Sequence, residues 1–241
     1  MLETLKQLHV EISSCRACAE AGFFVEPSPV VVNQPATWPK MMLVGQAPAA
    51  AARSRGKPFS GQAGRVLFRW LAQAGFGEDE FRARWYFTAI TKCYPGPAGG
   101  QGDRVPTARE RALCRPFLER ELALIQPKLI LTVGRVSTAH FLGNDIDFTA
   151  AIGQAFERDG RTILPLPHPS GVSRWTNDPR NRERLAQALA LLKRYAEEGK
   201  TGAFQDGGSQ ARQKQFQGPE IGAVHRRDAQ GSLGQCSGLP M

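Results

Sequence analysis

Apolar positions follow two rhythms along residues 1–199. Short runs of consecutive apolar residues occupy Met41–Gly45 and residues 85–91, 128–133 and 162–166, each bounded by Gly, Pro or charge. Such runs are the form taken by parallel strands buried on both faces. Between them, helical spacing runs over residues 62–74, 107–125 and Arg135–Leu142, with a last stretch at 179–197. Thr107-Ala108-Arg109-Glu110 is a capping box behind Pro106, so a helix starts there, and Gln126-Pro127 stops it. Leu2, Leu5, Leu8 and Ile12 predict an N-terminal helix running into Cys15, whereas residues 27–39, with four prolines, read as an extended loop. Strands alternating with helices predict a three-layer α/β/α fold around a central four-stranded parallel sheet. Ligands of such sheets sit at the carboxyl ends of the strands, so the loops after the strands are where chemistry is expected.

Neither rhythm continues past Gly199. Residues 200–241 are rich in Gly and Gln and poor in aliphatics, too little apolar surface to offset the entropy of ordering them. The expected organisation is one domain at 1–199 and a low-complexity, disordered tail at 200–241. Across 241 residues the apolar share is 41%, enough for a sizeable core. No run of about 18 apolar residues spans a membrane, and the first residues lack the basic-then-apolar pattern of a secretion signal. An intracellular, cytoplasmic and nucleoid-associated protein is expected, in which disulfides are not kept.

Charge narrows the partner. The net charge is +9, and the tail, with five basic and three acidic residues, leaves +7 on residues 1–199. A basic folded body suits a polyanion, most simply nucleic acid.

Cys15 and Cys18 form a C-x-x-C pair, Cys93 follows the second strand and Cys114 lies within the helix that begins at 107. Four thiolates hold either a zinc ion or a four-iron cluster, and spacing does not separate the two. No strand precedes the pair and a helix does, which argues against a thioredoxin-like redox motif. Cys236 lies in the tail and reads as a bystander.

Two loops carry candidate chemistry. After the first strand come Gly45-Gln46-Ala47-Pro48, the basic run Arg53-Ser54-Arg55-Gly56-Lys57, and Pro58-Phe59-Ser60-Gly61. Glycine at a strand end admits a ligand close to the backbone, and the next helix start offers free amides to an anion. Phe59, between turn formers in a basic segment, is placed to stack on a planar base; the alternative is an aromatic plug beneath the loop. After the fourth strand, His168 is fixed between Pro167 and Pro169, which suits a side chain that needs accurate aim. A neutral imidazole there can donate to developing negative charge. Ser170, Ser173 and Arg174 suit phosphates, and Arg174 or Trp175 suits a wedge into a base stack.

Taken in order, Gly45-Gln46-Ala47-Pro48, the stretch from Gly56 to Gly64, Thr91-Lys92-Cys93, Cys114 to Leu118, Gln126 to Ile130 and His168-Pro169-Ser170 resemble the uracil-DNA glycosylase superfamily. They are most similar to its iron–sulfur branches, families 4 and 5. The similarity covers residues 2–195 and leaves the tail unmatched. It implies a [4Fe–4S] cluster on Cys15, Cys18, Cys93 and Cys114, and a uracil pocket built from Gly45, Gln46, Ala47 and Phe59. It implies that His168 donates to the uracil oxygen as the base leaves, and that residues 169–175 press into the minor groove. Ser170, Ser173, Arg174, Arg55 and Lys57 are the expected DNA contacts.

The implied protein is a monomeric, monofunctional hydrolase that releases uracil from single- or double-stranded DNA. Two departures stand out. Gln46 and Ala47 replace the first-motif carboxylates of families 4 and 1, and Ala89 replaces the family 4 Asn that reads uracil, a residue family 5 also lacks. These leave open a glycosylase for hypoxanthine or xanthine, or a non-catalytic damage-binding protein, and the four cysteines leave open a zinc-stapled nucleic-acid binder.

Overall fold

The computed structural model describes residues 2–23, 27–31, 40–99, 102–170 and 175–200, all within one compact unit, Met1–Gln205. In chain order the elements are α1 (Leu2–Ser13), α2 (Ala17–Glu20), β1 (Met41–Gly45), α3 (Ala50–Arg55), α4 (Gln62–Gln73), α5 (Glu78–Arg84) and β2 (Trp85–Ala89). They continue as α6 (Ala108–Ile125), β3 (Leu129–Val133), α7 (Arg135–Leu142), α8 (Phe148–Ala151), β4 (Phe156–Arg158), β5 (Arg161–Leu166) and α9 (Pro179–Lys200), with a 3-10 turn at Trp175–Asn177 before the last helix. Of the expected tail at 200–241, Lys200 is the last residue of α9 and the rest lies outside the described residues. Among the described residues no helix is long and apolar enough to cross a membrane.

Strand order is β2-β1-β3-β5-β4. The four expected strands pair in parallel, with Leu43 opposite both Phe87 and Leu131, and Leu131 opposite Leu164. The fifth strand was not expected: β4 runs antiparallel to β5 at the edge. Its signal is Asp159-Gly160, whose positive φ values of 50° and 70° make the two-residue hairpin that Asp-Gly favours. Three strand residues are too few for a pattern to register.

Alternation along the strands builds the layers. Met41, Leu43, Trp85, Phe87, Leu129, Leu131, Leu164 and Leu166 face one core with α4, α5 and α9. Met42, Val44, Tyr86, Ile130 and Ile163 face the other, with α1 and α6. Every residue of β1 and β3 is buried, which is why both read as unbroken apolar runs. The capping box forms as expected: the Thr107 hydroxyl accepts from the Glu110 N–H at 3.2 Å, and Glu110 accepts from the Thr107 N–H at 2.8 Å. Gln126, at φ 48°, closes α6 in the left-handed conformation.

Candidate base-binding pocket and cysteine site

β1 lies between β2 and β3, so the chain turns to one side of β1 and then to the other. That reversal opens a crevice at the strands' carboxyl ends. There one cavity gathers Gly45, Gln46, Ala47, Phe59, His168 and Ser170, residues drawn from three loops. Thr88 and Ala89 from β2 and Val133 from β3 complete its floor.

Phe59 is held by its surroundings. Its φ of 53° is a left-handed backbone that an aromatic residue adopts only where the fold enforces it. Two glycines make room for it. A Cβ on Gly45 would sit 3.3 Å from the Phe59 ring, and one on Gly64 would sit 1.7 Å from the Phe59 carbonyl oxygen. Arg82 of α5 clamps the segment, donating to the Pro58 carbonyl at 3.0 Å and the Phe59 carbonyl at 3.3 Å. The guanidinium is itself fixed by Glu78 at 2.8 Å and lies over the Phe68 ring, 4.4 Å from its centroid. Phe59 is half-buried against the core, its ring 6.3 Å from that of Phe87, and still lines the cavity. It is both plug and wall.

His168 follows β5 between two buried prolines and is open to solvent through the cavity. Gly134, at φ 90°, lies behind it: a Cβ there would be 3.4 Å from both the Cβ and the Cδ2 of His168. Burial lowers the imidazole's pKa and the carboxylate of Asp103 opposes the shift. A ring kept neutral at physiological pH retains one N–H donor, on a residue that lines the cavity.

The expected DNA-contact residues divide. Ser170 lines the cavity, whereas Ser173 and Arg174 lie outside the described residues. Arg55, at the end of α3, donates to the Ser60 carbonyl, and Ser60 donates to the Ala51 carbonyl at 3.0 Å. Arg55 thus braces the Phe59 loop. Lys57, half-buried in the same loop, is not part of the cavity wall. Trp175 is half-buried against the core rather than turned out as a wedge.

Beneath the floor lies a polar network that residue patterns did not announce. Lys92 donates from Nζ to Glu121 at 2.7 Å, to the Thr88 hydroxyl at 2.6 Å and to the Ala89 carbonyl at 2.8 Å. Glu121 also accepts from Tyr86 at 2.9 Å and Thr88 at 2.7 Å, and Tyr86 bonds His9 at 2.8 Å. The Lys92–Glu121 side chains are 4% and 3% exposed. Burial pushes the Tyr86 phenol well up and the His9 imidazole down. α1, β2 and α6 are thus tied together under the pocket.

Cys15, Cys18, Cys93 and Cys114 line one second cavity on the other side of Lys92, and all four are free thiols. The Lys92 N–H donates to the Cys114 sulfur at 3.2 Å. Chiefly through burial, the Cys93 thiol is pushed up to about 12 and the Cys18 thiol up to about 11, and Cys114 is raised as well. Arg104 binds Glu110 through two 2.7 Å contacts beside this cavity, and that pairing holds the Glu110 carboxyl below the usual range. Among the described residues no three His, Cys, Asp or Glu side chains stand close enough to hold a single metal ion.

Comparison with known proteins agrees with this geometry. The profile of the uracil DNA glycosylase superfamily matches residues 34–193. Type-4 uracil-DNA glycosylase of Archaeoglobus fulgidus is 32% identical over 180 residues, covering 71% of this chain and 84% of that protein. The enzyme of the same name from Thermotoga maritima is 25% identical over 197 residues, 80% of this chain and 96% of the relative. That from Sulfurisphaera tokodaii is 30% identical over 180 residues, 71% and 76%. The matched span runs from before β1 into α9 and takes in every loop of the base-binding pocket, and by that match the chain belongs to the uracil DNA glycosylase superfamily.

Proposed function

We propose that residues 1–199 form a monomeric uracil-DNA glycosylase that flips uracil out of DNA and hydrolyses its N-glycosidic bond, leaving an abasic site for base excision repair. The observation that carries this reading is the pairing of Phe59 with His168 in one cavity at the sheet's switch point. Phe59 supplies a flat face for the extruded base, and the Gly45–Ala47 backbone comes close to its edge. His168 donates to the oxygen of the departing uracil, where negative charge grows as the bond breaks. One chain contributes all of these groups, which supports a monomer, and the proposed substrate supports a location with intracellular DNA. Ser170, Ser173, Arg174, Arg55 and Lys57 are the proposed phosphate and groove contacts.

Cys15, Cys18, Cys93 and Cys114 are proposed to hold a [4Fe–4S] cluster. Four thiols lining one cavity are the donor set that such a cluster takes, one thiolate per iron. Their raised pKa values mean that ionisation needs a compensating positive centre. Held by Cys15 and Cys18 after α1, Cys93 after β2 and Cys114 in α6, the cluster would cross-link these segments. A brown protein containing iron and sulfide, colourless in a Cys93→Ser/Cys114→Ser variant, is expected.

Ala89 on the floor offers no side-chain amide to read the base edge, so hypoxanthine and xanthine belong in the substrate test. Base release is measured from single-stranded oligonucleotides carrying each of the three bases, with His168→Ala alongside. Uracil release is expected to fall by about 10²–10³ in the variant, the usual worth of one aimed donor. Near wild-type release by His168→Ala would overturn the assignment. Tight binding by the wild type without any abasic product would decide for a damage-binding protein.

A further inference from the structure

The pocket contains a carboxylate that no sequence motif supplied. Asp103 lies in the segment joining Cys93 to α6, and its side chain lines the same cavity as Phe59 and His168. Among the described residues of that cavity wall it is the one carboxylate. The other charged groups there are engaged elsewhere: Lys92 with Glu121 and Thr88, Arg104 with Glu110.

The described residues flanking Asp103 are tied by backbone hydrogen bonds. The Ala98 N–H donates to the Gly102 carbonyl at 2.9 Å, and the Arg104 N–H donates to the Gly96 carbonyl at 3.0 Å. Pro97 and Asp103 pair in an antiparallel bridge. Gly96 and Gly102, at φ 108° and 94°, supply the left-handed backbone the reversal needs. The neighbouring Arg104 anchors the turn to the buried Glu110 in the first turn of α6. Desolvation and then the negative charge of Asp103 raise the pKa of the Tyr94 phenol. The field of Asp103 also extends to His168. An exposed carboxylate thus shares one cavity with the imidazole.

Hydrolysis of a glycosidic bond needs a group to orient water and receive its proton. Gln46 is an uncharged amide and Ala47 a methyl, so the loop after β1 supplies no such group. We propose that Asp103 is a catalytic residue that holds the attacking water and accepts its proton. This role rests on the uracil reading of the pocket. The C1′–N1 bond breaks with its electron pair passing into the uracil ring, whose oxygen accepts a hydrogen bond from His168. The water oxygen bonds to C1′, and the water proton moves to the Asp103 carboxylate and then to solvent. The released uracil anion takes a proton from solvent, so one water and one nucleotide give an abasic site and free uracil. The fixed negative charge also favours the positive charge that builds on the sugar as the bond opens.

Asp103→Asn keeps the side chain's size while removing basicity and charge. Single-turnover uracil release from a single-stranded oligonucleotide is expected to slow about 10²-fold or more, the range of a general base. Affinity for an oligonucleotide carrying a tetrahydrofuran abasic analogue is expected to stay close to that of the wild type. Asp103→Ala is expected to show the same loss and to recover part of its rate in added formate, which does not speed the wild type. A purely structural role predicts no rescue and a loss of affinity that follows the loss of rate, and that pattern overturns the proposal. A wild type that releases uracil beside an unimpaired Asp103→Asn overturns this role alone. A wild type that releases no uracil overturns the reading of the pocket, and this role with it.

Discussion

Replacing Gly64 by alanine sets helix propensity against a steric clash, and the structure indicates which prevails. Gly64 lies in the first turn of α4, where alanine is favoured over glycine by about 0.5–1 kcal/mol. Its Cβ, however, would fall 1.7 Å from the Phe59 carbonyl oxygen, and real Cβ contacts do not fall below 3.0 Å. Phe59 must therefore retreat by at least the 1.3 Å between those two distances. The retreat strains contacts already in use. The same carbonyl accepts from Arg82 at 3.3 Å, and the backbone of Phe59 is already at φ 53°, a conformation that costs about 1–3 kcal/mol without support. A displacement of about 1 Å in a group that positions substrate typically costs about 10²-fold in rate. That is about 2.7 kcal/mol of barrier. Gly64→Ala is expected to slow single-turnover uracil release by that factor. Its thermal midpoint is expected to move by only a few degrees, because no core side chain is removed. Parallel rate and melting measurements separate the two effects. Wild-type release by Gly64→Ala would refute the reasoning, since it would show either that this contact does not place Phe59 or that the ring's placement does not matter.

Lys92→Met is expected to cost about 3–5 kcal/mol in urea unfolding, because Glu121 stays buried without its cation. Adding Glu121→Leu is expected to return most of that loss, and a single variant with an unchanged midpoint would contradict the account of the network. His9, whose pKa is lowered below 6.5 chiefly by burial, binds protons more readily in the unfolded chain. Its contribution is complete above the unfolded pKa and is lost as pH falls from there toward the folded value. Urea midpoints should therefore drop between about pH 7.5 and about pH 5.5. His140 and His168, lowered by burial in the same direction, share that slope, and His9→Gln should flatten part of it; an identical slope in the variant would remove His9 from the explanation.

The sequence by itself determined the sheet's four parallel strands, the helices at α1, α4, α6, α7 and α9, and the loops that hold the chemistry. These were legible because burial on two faces forces unbroken apolar runs at β1 and β3, and because capping chemistry at Thr107 and Glu110 is local in the chain. Gly45, Phe59 and His168 could be singled out for the same reason: glycine at a strand end and histidine between prolines carry their backbone constraints in adjacent residues. β4 escaped because three residues are too few to repeat a two-residue alternation, although Asp159-Gly160 marked its hairpin.

The tertiary structure decided what depends on residues distant in sequence. Arg82 reaches back 24 residues to Pro58, and Lys92 meets Glu121 across 29 residues. Neither pairing leaves a trace in local composition, since each residue alone reads as an ordinary charged position on a strand end or helix. Asp103 likewise looks like a loop aspartate until the turn between Gly96 and Arg104 sets it in the same cavity as His168. Arg55, read from charge as a DNA contact, also donates to the Ser60 carbonyl and braces the Phe59 loop, a pairing that charge alone does not announce. Backbone constraint is written between neighbours and so survives in the sequence; electrostatic partnership is set by distances through space, which only the folded chain defines.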